Sequence, residues 1–409
     1  MYKKQNILIL KGFLLGFILL GCLTQSSAQF LPQKFGKGIQ LLGKDSSFYV
    51  KFGFRFQTLY NAEWNLDADG PSSPDDFEGT FLIRRSRFKF SGWALNPKLT
   101  YKFELGLSNR DIGGGNTSEF SNAPKFILDA SVEYNFYKNF SIMVGQRKLP
   151  GNRERVISSG NLQFVDRSRL NSRYNIDRDA GVQFKHKLKA GNAWINSTIA
   201  ITQGEGRNVT IGDSDGAGYT FHVDILPFGK FASKGDYVGA DLKREPKPKL
   251  AIGLTYDTNQ NAVRERGQNG SFIQDLEGNP VGRDLNTFFA DLMFKYKGLS
   301  VMGEYANKWS QDNDPFVFDD GGNLIGTFFT GTGLNLSVGY VLPKDYQLAV
   351  RFTDINPDEG VASAETQYTL GFSKYIVGHK LKIQTDYTLI DKDSGDDSFL
   401  LRAQVDIHF

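Results

Sequence analysis

Alternation of apolar and polar residues is the dominant pattern along this chain. In residues 99–108 the odd positions are Leu, Tyr, Phe, Leu and Leu, whereas the even positions are Thr, Lys, Glu, Gly and Ser. Residues 128–136 repeat the pattern, with apolar side chains at even positions and Asp, Ser, Glu and Asn between them. Such a period of two predicts strands with one apolar face. A soluble β-sandwich shows the same parity, so alternation alone does not separate a sandwich from a membrane barrel.

The length and number of the alternating segments favour a barrel. Strands of about ten to eighteen residues are longer than the five or six typical of globular proteins, and they can cross a bilayer at a tilt. An even number is expected of bacterial outer-membrane barrels. Sixteen strands are predicted, at residues 47–64, 79–94, 98–109, 125–137, 139–148, 178–190, 192–203, 216–228, 248–258, 285–297, 299–310, 327–342, 345–355, 365–376, 379–391 and 398–409. The predicted fold is therefore all-β, a transmembrane antiparallel β-barrel.

The connections between these strands alternate in length. Short turns of a few residues alternate with long polar loops, at 65–78, 110–124, 149–177, 204–215, 259–284, 311–326, 356–364 and 392–397. Short periplasmic turns and long external loops are typical of outer-membrane barrels, so both termini are predicted to lie in the periplasm. Segment 229–247 is the exception, because a short turn is expected there. It is either an enlarged periplasmic turn or a sign that the neighbouring strand boundaries are misplaced.

The first 28 residues have the layout of a secretory signal peptide. Lys3 and Lys4 precede an apolar run at residues 7–20, and Ser26-Ser27-Ala28 supplies small residues before a cut at Gln29. The apolar run is too short for a comfortable membrane anchor. Acylation of Cys22 remains a second interpretation, because Leu19-Leu20-Gly21-Cys22 resembles a lipoprotein box. Residues 29–46 are then a periplasmic N-terminal segment, and residues 47–409 form one barrel domain.

Charge and composition exclude several classes of function. The chain has 48 Lys and Arg against 45 Asp and Glu, and loss of the signal peptide removes three lysines, leaving 45 of each. A nucleic-acid-binding protein would usually show a basic excess. The single cysteine and four separated histidines offer no zinc-ligand spacing, so no cofactor is predicted. A nucleophile-elbow motif is absent from the sequence. An enzyme and a plugged structural or adhesive barrel stay as rival classes.

Four cations crowd one short stretch of the second predicted strand. Parity places Arg85, Arg87 and Lys89 on the polar, inward face, together with Arg55 and Lys102 of the neighbouring strands. Arg84 has the opposite parity, and a charge facing lipid at mid-bilayer costs roughly 2–4 kcal/mol. We therefore expect either a bulge that turns Arg84 inward or a position beyond the apolar band.

A lumen lined by guanidinium groups is the expected wall of an anion pore. The alternative interpretation is that these cations form salt bridges inside the lumen with Glu104, Asp129 and Glu133.

Several short motifs, in this order along the chain, resemble the phosphate-selective porin O and P family. They are Arg84-Arg85-Ser86-Arg87, Tyr101-Lys102-Phe103-Glu104, Asp129-Ala130, Gly145-Gln146-Arg147-Lys148-Leu149-Pro150 with Glu154, Arg178-Asp179-Ala180-Gly181-Val182 and Gln203-Gly204-Glu205-Gly206. The resemblance extends from about residue 48 to the end of the sequence. It implies an outer-membrane homotrimer of 16-stranded barrels that conducts small anions such as phosphate, with the third external loop, 149–177, folded inward.

The resemblance also implies where the narrow part of the pore lies. Arg84, Arg85 and Lys148 would sit near this constriction with Asp129 close by, and the loop would add Arg153 and Arg155. Glu154 and Asp166 in the same loop, together with the zero net charge, depart from strong phosphate selectivity. A general, non-selective porin therefore remains the alternative.

The last predicted strand ends on an aromatic residue. Leu401, Ala403, Val405, Ile407 and Phe409 share one face. An alternating strand that closes on Phe409 resembles the signal that outer-membrane barrels present to their assembly machinery. The expected surroundings are outer-membrane lipid and lipopolysaccharide.

Overall fold

A computed structural model describes residues 28–32, 34–66, 77–112, 125–210 and 216–409. The predicted signal peptide up to residue 27, including Cys22, lies outside the described residues. So do parts of the predicted loops at 65–78, 110–124 and 204–215.

Sixteen long antiparallel strands form one closed barrel. Each strand pairs with the next, and the last strand, Asp397–His408, pairs with Phe48–Leu66 in the register Asp397 to Leu66 and His408 to Arg55. The prediction of an all-β barrel of 16 strands is confirmed. The strands are β3 (Phe48–Leu66), β4 (Phe77–Ala94), β5 (Asn96–Gly106), β6 (Ile127–Tyr137), β7 (Phe140–Lys148), β8 (Arg178–Ala190), β9 (Ala193–Thr202), β10 (Gly218–Leu226), β11 (Lys249–Ala262), β12 (Arg283–Tyr296), β13 (Leu299–Ser310), β16 (Gly331–Val341), β17 (Tyr346–Pro357), β18 (Glu365–Tyr375), β19 (Leu381–Lys392) and β20 (Asp397–His408).

Four further strands among the described residues are short. They are β1 (Ala28–Phe30), β2 (Ile39–Gly43), β14 (Phe316–Phe318) and β15 (Leu324–Thr327). The α-helices are α1 (Asn109–Ile112), α2 (Arg153–Val156) and α3 (Arg169–Tyr174), and 3-10 turns lie at Ser159–Asn161, Ala232–Tyr237, Gln311–Asn313 and Pro343–Asp345. In the described part of the chain, no helix is long and apolar enough to cross a membrane.

The two faces of each barrel strand differ as the alternation predicts. On β18 the polar side chains of Glu365, Gln367 and Thr369 are buried inside, whereas Tyr368 and Leu370 are about half exposed outside. An apolar outer band suits lipid, and a polar interior suits water or polar loops. Closure pairs the backbone groups of every strand, because no sheet edge remains to meet lipid.

The N-terminal segment adds two strands that the spacing did not predict. β2 pairs with residues 49–52 of β3, on the edge of β3 that β20 leaves free, and β1 pairs with β2. The ring of Phe35, in the connection between them, meets the ring of Phe409 edge-on at 5.9 Å. β1 and β2 therefore continue the sheet at the barrel end where the short turns lie.

Segment 227–248 is an enlarged turn between β10 and β11. The boundaries predicted for these two strands agree with the structure to within a few residues, so misplaced strands do not explain its length. The segment lies at the same end as the short turns. Its Asp241 and Glu245 are buried and accept backbone N–H groups, including those of Gly298 and Ala232.

Two connections from opposite ends of the barrel meet each other. Loop 149–177 follows β7 and turn 227–248 follows β10, and the Gly239 N–H donates to the Asn161 carbonyl at 2.8 Å. Buried apolar side chains of the loop, including Leu170, pack with Phe289 and Ala306, on inward faces of β12 and β13. Ile157 and Leu162 of the same loop pack with buried residues of the turn and of β11–β13. The space beside β11–β13 is therefore filled with protein.

Candidate functional site: a basic cavity inside the barrel

A cavity of about 1220 Å³ lies between loop 149–177 and one side of the barrel wall. The wall is supplied by inward side chains of β3–β10 and β17–β20, together with part of turn 227–248. Of the described residues, none between 238 and 350 lines it. The cavity is thus off-centre, on the side opposite the packed interior.

The cavity lining is strongly basic. The described lining residues include 19 Lys and Arg against 9 Asp and Glu. The basic residues are Arg84, Arg85, Arg87, Lys89, Lys102, Arg147, Lys148, Arg155, Arg167, Arg169, Arg178, Lys185, Lys187, Arg207, Lys230, Lys234, Arg351, Lys392 and Arg402. The basic charge is therefore concentrated at this surface, since the chain beyond residue 28 has equal numbers of basic and acidic residues.

A β-bulge brings Arg84 into the cavity. Gln57 of β3 pairs with Arg85, but the next residue of β3, Thr58, pairs with Ile83, so Arg84 has no partner opposite it. One extra residue on a strand bends it and redirects a side chain. Of the two alternatives expected for Arg84, the bulge is the one observed. As a result, two consecutive arginines point into the lumen.

Asp166 of loop 149–177 lies in the fork of these two guanidinium groups. Arg84 donates to Asp166 Oδ2 from Nε at 3.0 Å and from a terminal nitrogen at 2.6 Å, and Arg85 donates to Oδ1 at 2.9 Å. Burial by itself would raise the pKa of Asp166, but Arg84 and Arg85 outweigh it and hold this pKa well below its usual range. The carboxylate is therefore charged at neutral pH.

A second network crosses β4, β5, β6 and β8. Glu104 accepts Arg87 at 3.2 Å, Lys89 at 3.3 Å and Lys102 at 3.2 Å. Lys102 also contacts Asp129, whose other oxygen accepts Arg178 at 2.7 Å. The expected lumen salt bridges to Glu104 and Asp129 are thus present. Cations outnumber acids in this network even when Asp111, a second partner of Arg87, is counted.

Lys148 and Arg167 are held by uncharged groups. Lys148 Nζ donates to the carbonyls of residues 155, 156 and 157 at 2.5, 3.3 and 3.3 Å. Arg167 donates to the carbonyls of Glu154 at 2.8 Å and Ile157 at 2.7 Å. Arg155 is different, because it donates to Asp177 at 2.7 Å. The hydrogen bonds of the Lys148 and Arg167 side chains therefore go to neutral oxygens rather than to carboxylates.

Arg55 and Arg153 lie outside the cavity. Both are at most 2% exposed, and each fixes loop 149–177 to the wall. Arg55 pairs with Asp406 and donates to Ser159 Oγ at 2.6 Å, whereas Arg153 pairs with Asp224 at 2.5 Å and Asp291 at 2.6 Å. The predicted residues that the cavity does bring together are Arg84, Arg85, Arg87, Lys102, Asp129, Lys148 and Arg155.

Some lining residues were not singled out from the sequence. Arg351 and Arg402 have inward parity on β17 and β20, so the alternation rule could have identified them. Lys230 and Lys234 lie in turn 227–248, where no periodic pattern indicates which side chains face the lumen. Within the described ranges, no group of three or more His, Cys, Asp or Glu side chains is arranged to hold a metal ion.

Comparison with known proteins places this geometry among porins. Residues 51–310, more than half of the chain, match the family described as phosphate-selective porin O and P. An uncharacterized protein of Aquifex aeolicus (strain VF5) is 22% identical over 355 residues, which cover 80% of each chain.

Solved structures show the same fold at low identity. The outer-membrane channel DcaP of Acinetobacter baumannii matches with a TM-score of 0.52 and 11% identity, covering 89% of this chain and 98% of that one. An anion-selective porin from Comamonas acidovorans matches with a TM-score of 0.52 and 12% identity, covering 88% and 100%. Salmonella typhi OmpF matches with a TM-score of 0.51 and 12% identity, covering 89% and 98%. The family match and the closed 16-stranded barrel together establish that this chain belongs to the phosphate-selective porin O and P family of outer-membrane porins.

Proposed function

We propose that this porin conducts small anions in preference to cations, through the off-centre cavity between loop 149–177 and the wall strands. The observation that carries the proposal is the lining, with 19 basic against 9 acidic residues. Rings of Arg and Lys attract anions into a pore and lower their energy there. In a narrow, low-dielectric passage this effect is stronger than on an open surface.

The chemistry of the lining favours oxyanions such as phosphate. Guanidinium groups bind phosphate oxygens through paired N–H donors, and Arg84 and Arg85 present two such groups side by side. Lys148 and Arg167 add two further basic side chains, whose hydrogen bonds go to loop carbonyls rather than to carboxylates. In this proposal, loop 149–177 narrows the passage at the level of these residues.

The wider arrangement follows from the same proposal. Residues 1–28 are a signal peptide, residues 29–46 lie in the periplasm, and residues 47–409 form the barrel domain. The short-turn end faces the periplasm and the long loops face lipopolysaccharide, because short periplasmic turns are typical of such barrels. The family resemblance supports assembly as a homotrimer, and the alternating strand that closes on Phe409 supports recognition by the barrel assembly machinery.

A general porin is the second candidate. Glu104, Asp111, Asp129 and Asp166 neutralise part of the cationic lining. If these ion pairs cancel the effect of the excess basic residues, ions of both signs pass with similar ease. The sign and size of the ion selectivity separate the two candidates.

The test is a planar-bilayer measurement on the purified protein. A reversal potential under a KCl gradient gives the selectivity, and addition of millimolar phosphate to both sides tests for block of the chloride current. Anion selectivity with phosphate block supports the proposal. Weak or cation selectivity without block overturns it in favour of the general porin, and absence of conductance overturns both in favour of a plugged structural barrel.

A further inference from the structure

Asp166 occupies the place that a permeating oxyanion would take. Its two oxygens accept three N–H groups from Arg84 and Arg85, and Oδ1 also accepts the backbone N–H of Arg167 at 3.1 Å. A planar carboxylate in this position uses the same donors, at the same distances, that a phosphate would use. We propose that Asp166 is a tethered competing anion, which the pore's own loop supplies and which a permeating oxyanion must displace from Arg84 and Arg85.

This pair differs from two fully buried arginine–carboxylate pairs that fix the same loop, Arg55 with Asp406 and Arg153 with Asp224. The side chains of Arg55 and Asp406 are 3% and 0% exposed, and those of Arg153 and Asp224 are 0% and 3% exposed. Arg84 and Asp166 are 14% and 18% exposed and line the cavity. An ion in the lumen can therefore reach Arg84 and Asp166, whereas the other two pairs are sealed within protein.

The loop is also held by contacts other than those of the Asp166 carboxylate. The preceding residue, Val165, donates its N–H to Asp386 at 3.0 Å, and the backbone carbonyl of Asp166 accepts Arg351 at 3.0 Å. Ser168, two residues later, donates its hydroxyl to Glu154 at 2.6 Å. The backbone is held on both sides of the carboxylate, so a rotation of the Asp166 side chain can release the two arginines while the loop stays in place.

Two consequences follow for transport, and both rest on the proposed function. Oxyanions bind the arginine fork less tightly than the bare guanidinium groups would allow, because each must replace a carboxylate already present. Weaker binding lets an ion leave as well as enter, which conduction requires. Asp166 would thus set the balance between affinity for oxyanions and throughput.

The experiment compares three proteins in planar bilayers, with phosphate added to a chloride current. D166N keeps the shape of the side chain and removes its charge. E63Q is the matched control, because Glu63 lines the same cavity from β3 and its loss changes the lumen charge by the same single unit. We expect the half-blocking phosphate concentration to fall by about tenfold in D166N, because phosphate then no longer competes with a charge-assisted contact. In E63Q it should fall by less than about twofold, because Glu63 does not occupy the fork.

A second background tests the mechanism itself. In the R84Q/R85Q protein the fork is gone, so adding D166N should leave phosphate block unchanged. Equal effects of D166N and E63Q would overturn the inference, because Asp166 would then act only as one lumen charge. The inference would also be overturned if D166N still lowered the half-blocking phosphate concentration in the R84Q/R85Q background. Loss of phosphate block in D166N alone would overturn it as well. The proposed function fails separately, if the wild-type reversal potential shows no anion preference.

Discussion

Arg55 and Asp406 join the first and last strands of the barrel through two hydrogen bonds of 2.8 Å, one from Nε and one from a terminal nitrogen of the guanidinium group. The pair lies at the seam where β20 closes on β3, and both side chains are buried. The same guanidinium reaches Ser159 of loop 149–177. One ion pair thus supports closure of the wall and the position of the loop.

We therefore expect Asp406→Asn to destabilise the folded barrel. Removing one partner of a buried ion pair leaves a charge without compensation, which costs about 3–5 kcal/mol. The measurement is the temperature at which the detergent-solubilised protein loses its compact, heat-modifiable band on a gel. Lys98→Ala, at the exposed start of β5, is the control. Equal melting temperatures of Asp406→Asn and wild type would contradict this role.

Ion selectivity should depend on the cations of β4. The double substitution Arg85→Ala with Arg87→Ala removes two of the 19 basic residues of the lining and leaves Glu104 and Asp111 without one of their partners. The reversal potential in a KCl gradient should move toward zero, in the cation-favouring direction. The control is Lys98→Ala with Lys138→Ala, which removes the same charge from two exposed positions at the short-turn end of the barrel. If both double variants shift the reversal potential equally, the overall charge of the protein determines selectivity and the cavity lining does not.

Lys148 should steady the loop as well as attract anions. Its ammonium binds three consecutive loop carbonyls, so Lys148→Met frees the segment around residues 155–157. We expect more current fluctuation in single-channel records than in wild type. Lys89→Met is the matched control, because Lys89 lines the same cavity but its ion pair is with Glu104 on the wall. Equally steady currents in both variants would show that the carbonyl contacts are dispensable.

The contact between the loop and turn 227–248 leaves no room for a side chain at Gly239. A Cβ there would lie 2.7 Å from the Gln163 backbone nitrogen and 3.0 Å from the Asn161 carbonyl oxygen. Gly239→Val should therefore push the two segments apart and change the single-channel conductance. Gly53→Ala serves as control, because a Cβ at residue 53 approaches its nearest atom only at 3.4 Å. Unchanged conductance in Gly239→Val would mean that this contact does not shape the pore.

The fork at Asp166 should be insensitive to mild acid. The pKa of the Asp166 carboxyl group is lowered in the folded protein. Its ion pair with Arg84 and Arg85 is therefore complete at every pH above the ordinary carboxyl pKa, and it is lost only when the pH falls below that value. We expect phosphate block of wild type and D166N to differ by the same factor at pH 7 and pH 5, after correction for the protonation of phosphate. A difference that disappears by pH 5 would show that Asp166 titrates near its usual value.

Parity and strand length were enough to predict the wall from the sequence. All sixteen predicted strands overlap the observed ones. Arg84 is a charged residue whose parity faces lipid, and this conflict pointed to the bulge that the structure contains. Parity gives the face of the sheet on which a side chain lies, but it does not tell what lies opposite. Arg55 was expected in the lumen from its parity and Arg153 from the family resemblance, yet packed protein covers both. Strands as short as β1 and β2 give too few alternations to be recognised.

The off-centre cavity divides the barrel circumference into two arcs with different tolerance to change. Along β11–β13, inward side chains such as Phe289 and Met293 are packed as in the core of a soluble protein, so a change of volume there disturbs neighbours. Along β4–β9, inward side chains line the cavity instead. Substitutions that alter solute preference can therefore accumulate on one arc while the other keeps the fold, which makes this barrel a suitable scaffold for engineered permeability.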